Sequence, residues 1–367
     1  MKKVTVLISA AVIMIIISII IFLPSKTIKM GFIADLTGRQ SQLGISVRNG
    51  FLMAVNELNA SGGLEGREII PIIKNNENNI ETCLVKTKEM VEEKVDVIIG
   101  PLTSAMVMPV LNGAENTIVI SPTVSTDAVT GIDDMFFRII PTASKQGKAL
   151  AEAVLENKAQ SITLIVDERN SGYTDAFAVG FINQIESASS IHLELLTFND
   201  KTQFLQLTEI IYETSPDSLV FVSSGVDTAG IIQQYAKKGP LPQLYSSYWG
   251  KASNVHEYGG NTVEGMILIA GYENREEPGN EKDFQERYGA LYEVKANFAA
   301  RYSYEAVMLY AEAVKKGKST NSDDVKSEIL NIDQFQGITD SYSLDEFGDV
   351  IREQTLFIIK NNKYEYY

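Results

Sequence analysis

The sequence predicts an α/β protein of two doubly wound parallel-sheet lobes joined by a multi-crossing hinge, preceded by an N-terminal transmembrane helix or signal segment. Three observations carry this. Short apolar runs alternate with amphipathic helical patterns from Lys29 onward, the mark of parallel strands with helices on both faces. The rhythm breaks once, at Phe136-Phe137-Arg138-Ile139-Ile140-Pro141, and then starts again. Roughly 340 residues follow the apolar terminus, more than one ordinary core takes.

Met1-Lys2-Lys3 precedes 20 residues without a charge, Val4 to Leu23, and then Pro24-Ser25-Lys26. A hydrocarbon core of ~30 Å needs about 20 apolar residues of helix. A secretory signal has a shorter apolar core and a small-residue cleavage site, and here only Ser25-x-Thr27 comes near one. The run reads as an uncleaved signal anchor, with a cleaved signal peptide as the alternative. Lys2 and Lys3 keep the terminus in the cytoplasm, so the remainder is expected outside it, anchored by residues 4–23.

In the first lobe, Met30 to Ala34 reads as a buried strand and 46–59 as a helix with Val47, Phe51, Val55 and Leu58 on one face. Ser61-Gly62-Gly63 stops that helix. Strands are expected at 69–73, 95–99 and 117–121, and helices at 82–93 and 105–113. The second lobe opens with a helix over 143–156. Strands follow at 161–166, 192–198, 218–222 and 243–246, with helices at 173–185, 203–213 and 229–237. A strand-like run at 263–270 and helices at 281–294 and 303–316 come next. Segments 341–344 and 354–359 read as a hairpin around Glu346-Phe347-Gly348-Asp349. The expected division is 1–27 for the anchor, 28–142 for the first part of lobe 1 and 143–270 for the main part of lobe 2. Residues 271–367 complete both lobes and the hinge.

Composition narrows the function. With 32 basic against 47 acidic side chains the net charge is −15, which repels phosphate backbones, so no nucleic-acid partner is expected. The lone cysteine, Cys83, allows no internal disulfide and reads as a small buried residue. His192 and His256 stand apart from each other and from Cys83, so neither a metal site nor a cofactor is expected. No Gly-x-Ser-x-Gly elbow, histidine–nucleophile pair or phosphate-cradling loop appears, which argues against an enzyme. Gly62-Gly63-Leu64-Glu65-Gly66 follows a helix and precedes a strand, the reverse of a dinucleotide loop. The acidic run 273–277 reads as a solvated loop.

Ligands of open parallel sheets gather beyond the carboxyl ends of the strands. The segments there are Thr37-Gly38, Thr103-Ser104, Thr123-Val124-Ser125, Asn170-Ser171-Gly172-Tyr173, Gly225-Val226-Asp227 and Tyr248-Trp249. Hydroxyls, amides, glycines and aromatics suit a small polar solute.

Several stretches carry a resemblance. They are Gly31-Phe32-Ile33-Ala34-Asp35-Leu36-Thr37-Gly38, Asn56-Glu57-Leu58-Asn59-Ala60-Ser61-Gly62-Gly63 and Val97-Ile98-Ile99-Gly100-Pro101-Leu102-Thr103-Ser104. Ile120-Ser121-Pro122, Phe137-Arg138 and Tyr302-Ser303-Tyr304-Glu305-Ala306-Val307 continue the series. In order and spacing they resemble the leucine/isoleucine/valine-binding family of type I periplasmic solute-binding proteins of ABC transporters. The resemblance implies a solute, typically an amino acid, held between the lobes and delivered to an ABC permease. A membrane-anchored sensor using the same fold is the alternative. It further implies that Ser104 binds the ligand carboxylate, that Thr123 and Ser125 offer a carbonyl and a hydroxyl to the ammonium, and that Tyr173 caps the ligand from lobe 2. Where the branched-chain binders carry an ammonium-binding glutamate this chain has Tyr248-Trp249, and Leu43 stands where some relatives have an aromatic wall. Asp227 is then the candidate acid, with Tyr248 beside the ligand.

Overall fold

The structure is a computed structural model that describes residues 27–38, 41–188, 191–252, 254–271 and 279–367. The apolar segment 4–23 and the acidic run 273–277 lie outside the described residues. Among those described, no helix is long and apolar enough to cross a membrane.

Lobe 1 is built on β1 (Ile28–Ala34), β2 (Ile69–Asn75), β3 (Val97–Ile99), β4 (Ile118–Ser121) and β5 (Phe136–Arg138). They form one all-parallel sheet in the order β2-β1-β3-β4-β5. The central strands are apolar on both faces because both are covered. Helix α1 (Ser41–Ala60) packs on one face, where Phe32, Val47, Phe51, Val55 and Ile120 form one core cluster. On the other face α2 (Ile80–Glu92) and α3 (Val107–Ala114) bury Cys83, Met90, Val107 and Val110 against Ile33, Ile98 and Val119. Pro71 sits in β2, an edge strand, where its missing N–H costs no ladder bond on the open side. The apparent break at 136–141 is in fact the fifth strand, Ile120 pairing with Phe137.

Lobe 2 begins with α4 (Ala143–Glu156), capped by the Thr142 side chain. Its strands are β6 (Ser161–Asp167), β7 (His192–Phe198), β8 (Ser218–Val222), β9 (Gln243–Ser246) and β10 (Ile267–Gly271). Between them lie α5 (Ser171–Ser187), α6 (Phe204–Thr214), α7 (Gly225–Ala236), and the short α8 (Tyr248–Ala252) and α9 (Val255–Gly259). The α4–α5 contact is close: a Cβ at Gly147 would stand 2.1 Å from the carbonyl oxygen of Phe177, and one at Gly180 the same distance from that of Ser144.

The chain then returns to lobe 1 as α10 (Gly279–Tyr292), α11 (Phe298–Gly317) and α12 (Ser322–Leu330), with α11 burying Tyr302, Ala306 and Tyr310 beside α1. A small sheet of β11 (Phe335–Gln336), β12 (Ser341–Leu344) and β13 (Val350–Ile351) follows. Finally β14 (Gln354–Lys360) and β15 (Lys363–Tyr366) join the lobe 2 sheet, whose order is β15-β14-β10-β9-β8-β6-β7. The expected hairpin of 341–344 with 354–359 is therefore corrected. β12 pairs with β13, while β14 pairs antiparallel with β10, Leu268 opposite Phe357. Phe357 and Ile359 are buried, a burial that a two-stranded ribbon could not supply. The chain thus passes between lobes after β5, after β10 and after β13.

Candidate functional site

Two loops at the carboxyl edge of the lobe 1 sheet are laced together. Beyond β3, residues Ser104–Met106 form a 3₁₀ turn that runs into α3. Ser104 Oγ accepts from the Ser125 N–H at 3.1 Å. Thr123 Oγ1 donates to the Leu102 carbonyl at 2.5 Å, and Ser121 Oγ donates to that of Pro101 at 2.9 Å. The Ser125 carbonyl accepts from the Ala143 N–H of α4 at 2.6 Å, which ties this rim to lobe 2. Ser104, which follows β3, and Thr123 and Ser125, which both follow β4, are thus brought together. The Thr103 hydroxyl beside them is buried and has no hydrogen-bond partner. At the end of β1, Asp35 is also buried, with neither carboxyl oxygen hydrogen-bonded. Burial pushes its carboxyl up to about 7.

Lobe 2 offers a charged rim. Arg169, just past β6, donates to Asp167 Oδ1 at 2.7 Å through Nε, to Asp200 Oδ1 at 2.9 Å and to Asp227 Oδ2 at 2.5 Å. Burial works against the Arg169 charge, but Asp167 and Asp227 outweigh it and hold the guanidinium above its usual range. Ser224, the N-cap of α7, donates its hydroxyl to Asp227 at 2.8 Å. Asp227 therefore sits at the edge predicted for it, but its carboxylate is engaged by Arg169 and Ser224. Helix α7 starts at Gly225 rather than 229, which places Asp227 inside the first turn.

The lobes touch directly. Asn170 Oδ1 accepts from the Ala105 N–H at 3.4 Å, and the Tyr258 hydroxyl donates to Gln42 Oε1 at 2.7 Å. The two aromatic candidates both have protein partners. Tyr173 belongs to the lobe 2 core with Phe177, its ring edge on Trp249 at 6.3 Å and its hydroxyl donating to Gln146 at 3.1 Å. Tyr248 packs against lobe 1, its ring edge-on to Phe298 at 4.6 Å. The Tyr173 hydroxyl meets Gln146 and the Tyr248 hydroxyl meets that of Tyr302. Trp249 joins the same lobe 2 core, and Leu43 packs against the lobe 1 core. Asn170, Gly172 and Arg169 were not selected from the sequence, although the segment 170–173 was singled out as following a strand.

The model of the family described as "Periplasmic binding protein" matches residues 27–362. The chain belongs to the periplasmic binding protein family. A curated relative of this periplasmic binding protein is the leucine-, isoleucine-, valine-, threonine- and alanine-binding protein of Pseudomonas aeruginosa. It is 22% identical over 335 residues, covering 89% of this chain and 88% of the relative. The branched-chain amino acid transporter substrate-binding protein of Streptococcus pneumoniae, solved with isoleucine, superposes with a TM-score of 0.84 at 24% identity, covering 93% of this chain and 98% of that one. An ABC transporter solute-binding protein of R. palustris, solved with benzoate, also reaches 0.84, at 18% identity over 93% and 95% of the two chains. These likenesses establish the two-lobe fold.

Proposed function

We propose that this periplasmic binding protein captures a small polar solute, an amino acid, between its lobes and delivers it to an ABC permease outside the cytoplasm. One observation carries the reading. The Ser104 hydroxyl, 3.1 Å from the Ser125 nitrogen, sits at the start of a helical segment facing lobe 2. A hydroxyl at the start of a helical segment, whose dipole favours negative charge, suits a carboxylate. Isoleucine and benzoate, the ligands of two structural relatives, share a carboxylate, which supports this role for Ser104.

The ammonium falls to the Thr123 carbonyl and the Ser125 hydroxyl. Asp227 adds negative potential from lobe 2 while remaining paired with Arg169. Closure of the lobes about the crossings favours the bound form, because a solute that touches both lobes binds the closed state better. The relatives' names favour transport over sensing. Residues 4–23 tether the protein to the membrane in this reading, since their apolar length fits a bilayer. Amino-terminal sequencing of protein from native membranes tests the tether, and recovery of a soluble chain starting near Ile28 would defeat it.

The deciding experiment is differential scanning fluorimetry against a panel of amino acids and aromatic acids. At least one amino acid should raise the melting temperature. No shift with any of them would sink the proposal, and a shift with aromatic acids alone would redefine the ligand.

A further inference from the structure

Lobe 2 meets the Ser104 segment of lobe 1 through the first turn of α5. A Cβ added at Gly172 would have three nearest neighbours, all backbone atoms of lobe 1: Ser104 C at 3.1 Å, Ala105 N at 3.2 Å and Ser104 O at 3.2 Å. A backbone wall cannot swing aside as the tip of a side chain can. Gly172 is helical, so its own backbone does not require glycine. What the missing side chain permits is the approach of one lobe to the other. Two residues earlier, Asn170 is 8% exposed, and its Oδ1 accepts from the Ala105 N–H at 3.4 Å across the same boundary. Both contacts land on Ser104 and its neighbour.

We infer that Asn170 and Gly172 form the latch of the cleft, positioning residues that let lobe 2 seat on the Ser104 segment and so enclose the solute. Gly172 sets how near α5 can come, and Asn170 supplies a hydrogen bond made only when it has come. The seating itself is independent of ligand identity; its consequence for solute binding rests on the proposed function above.

Closure can be read without a solute. The Tyr258–Gln42 contact lies at a different part of the rim. Cysteines at these two positions, joined by a short bismaleimide, trap the closed form, and the native Cys83 is buried and stays unmodified. In full-length protein, Gly172→Phe should slow trapping at least tenfold with an unchanged melting temperature, since the new ring meets lobe 1 and not its own core. Asn170→Ala, which removes the accepting oxygen and inserts nothing, should slow it a few-fold, and it carries the test if Gly172→Phe misfolds. Parental trapping rates in a folded Gly172→Phe protein, or in Asn170→Ala if that must stand in, would overturn the latch. A solute found by the fluorimetric panel should bind Gly172→Phe at least tenfold more weakly. If trapping slows but no solute binds the parent, the latch stands and the transport reading falls.

Discussion

Tyr248 and Tyr302 hold their hydroxyl oxygens 3.1 Å apart across the boundary between the lobes. Tyr248 opens α8 in lobe 2, while Tyr302 lies on α11 in lobe 1. Gly271, the last residue of β10, lies against the pair: a Cβ there would stand 2.3 Å from each hydroxyl. Burial pushes both phenols above their usual range, so both remain protonated donors.

Tyr248→Phe removes one hydroxyl and leaves that of Tyr302 buried without this partner, which costs about 1–3 kcal/mol. Tyr302→Phe should cost a similar amount. The double variant should lose less than the two single losses together, because no orphaned hydroxyl remains. Denaturant titration of all four proteins checks this, and strictly additive losses would refute the coupling.

Arg352 lies between β13 and β14, where the chain last passes between lobes, and ties two other segments to that passage. It donates to Asp340 Oδ2 at 2.7 Å and to the Ile139 carbonyl at 3.2 Å, and pairs with Glu305 at 3.1 Å. Its guanidinium carbon lies over the rings of Tyr302 and Tyr342, 4.1 and 4.6 Å from their centroids. Arg352→Ala strands two buried carboxylates and should cost about 3–5 kcal/mol. Arg352→Lys keeps the charge but not the planar fork, and should fall between parent and alanine. Equal stability of the lysine variant and the parent would show that the fork geometry contributes nothing.

Asp227→Asn separates two roles. A residue serving only the solute would leave the solute-free protein unchanged. Its pairing with Arg169 at 2.5 Å predicts a loss of about 2 kcal/mol and a melting temperature lower by several degrees. An unshifted melting curve would return Asp227 to a purely ligand-facing role.

Asp35→Asn should flatten the pH dependence of stability. An unfolded aspartate titrates near pH 4, and burial lifts the native group to about 7. Between those values the native state holds a proton that the unfolded chain has released, so stability falls as pH rises through the window. Above about pH 7 the full penalty is present, on the order of a few kcal/mol. The amide mimics the protonated carboxyl. The variant should therefore match the parent at pH 4 and exceed it at pH 8 in urea titrations. A variant less stable than the parent at pH 8 would contradict this.

Ser104→Ala should weaken solute binding about ten- to hundredfold, the loss expected for one hydrogen bond to a charged group. Isothermal titration with the solute found by the panel checks it. Parental affinity would remove Ser104 from the binding site.

Periodicity alone made the two lobes legible, because burial on both faces of a strand or one face of a helix is a local property of sequence. Ser104, Thr123 and Ser125 were legible for the same reason: each follows a strand end, and in a parallel sheet those ends share one edge. The earlier starts of α1 and α11, at Ser41 and Phe298, were missed; at α11 the Asn297 side chain caps the first turn by accepting from the Ala300 N–H, a signal present in the sequence.

What only the tertiary structure decided is the direction and partnership of single side chains. One helical position turns a side chain by about 100°, so the packing of the Tyr173 ring beside Phe177 and Trp249 is settled only by how the helix sits in lobe 2. Tyr248 meets a partner 54 residues away and Asp227 one 58 residues away, and no local pattern encodes either pairing. Likewise β14 leaves its expected hairpin for β10, because a strand with buried residues needs a sheet to bury them in. Alternation is written in neighbouring residues, whereas an ion pair or a lobe contact arises from how distant segments share the same space.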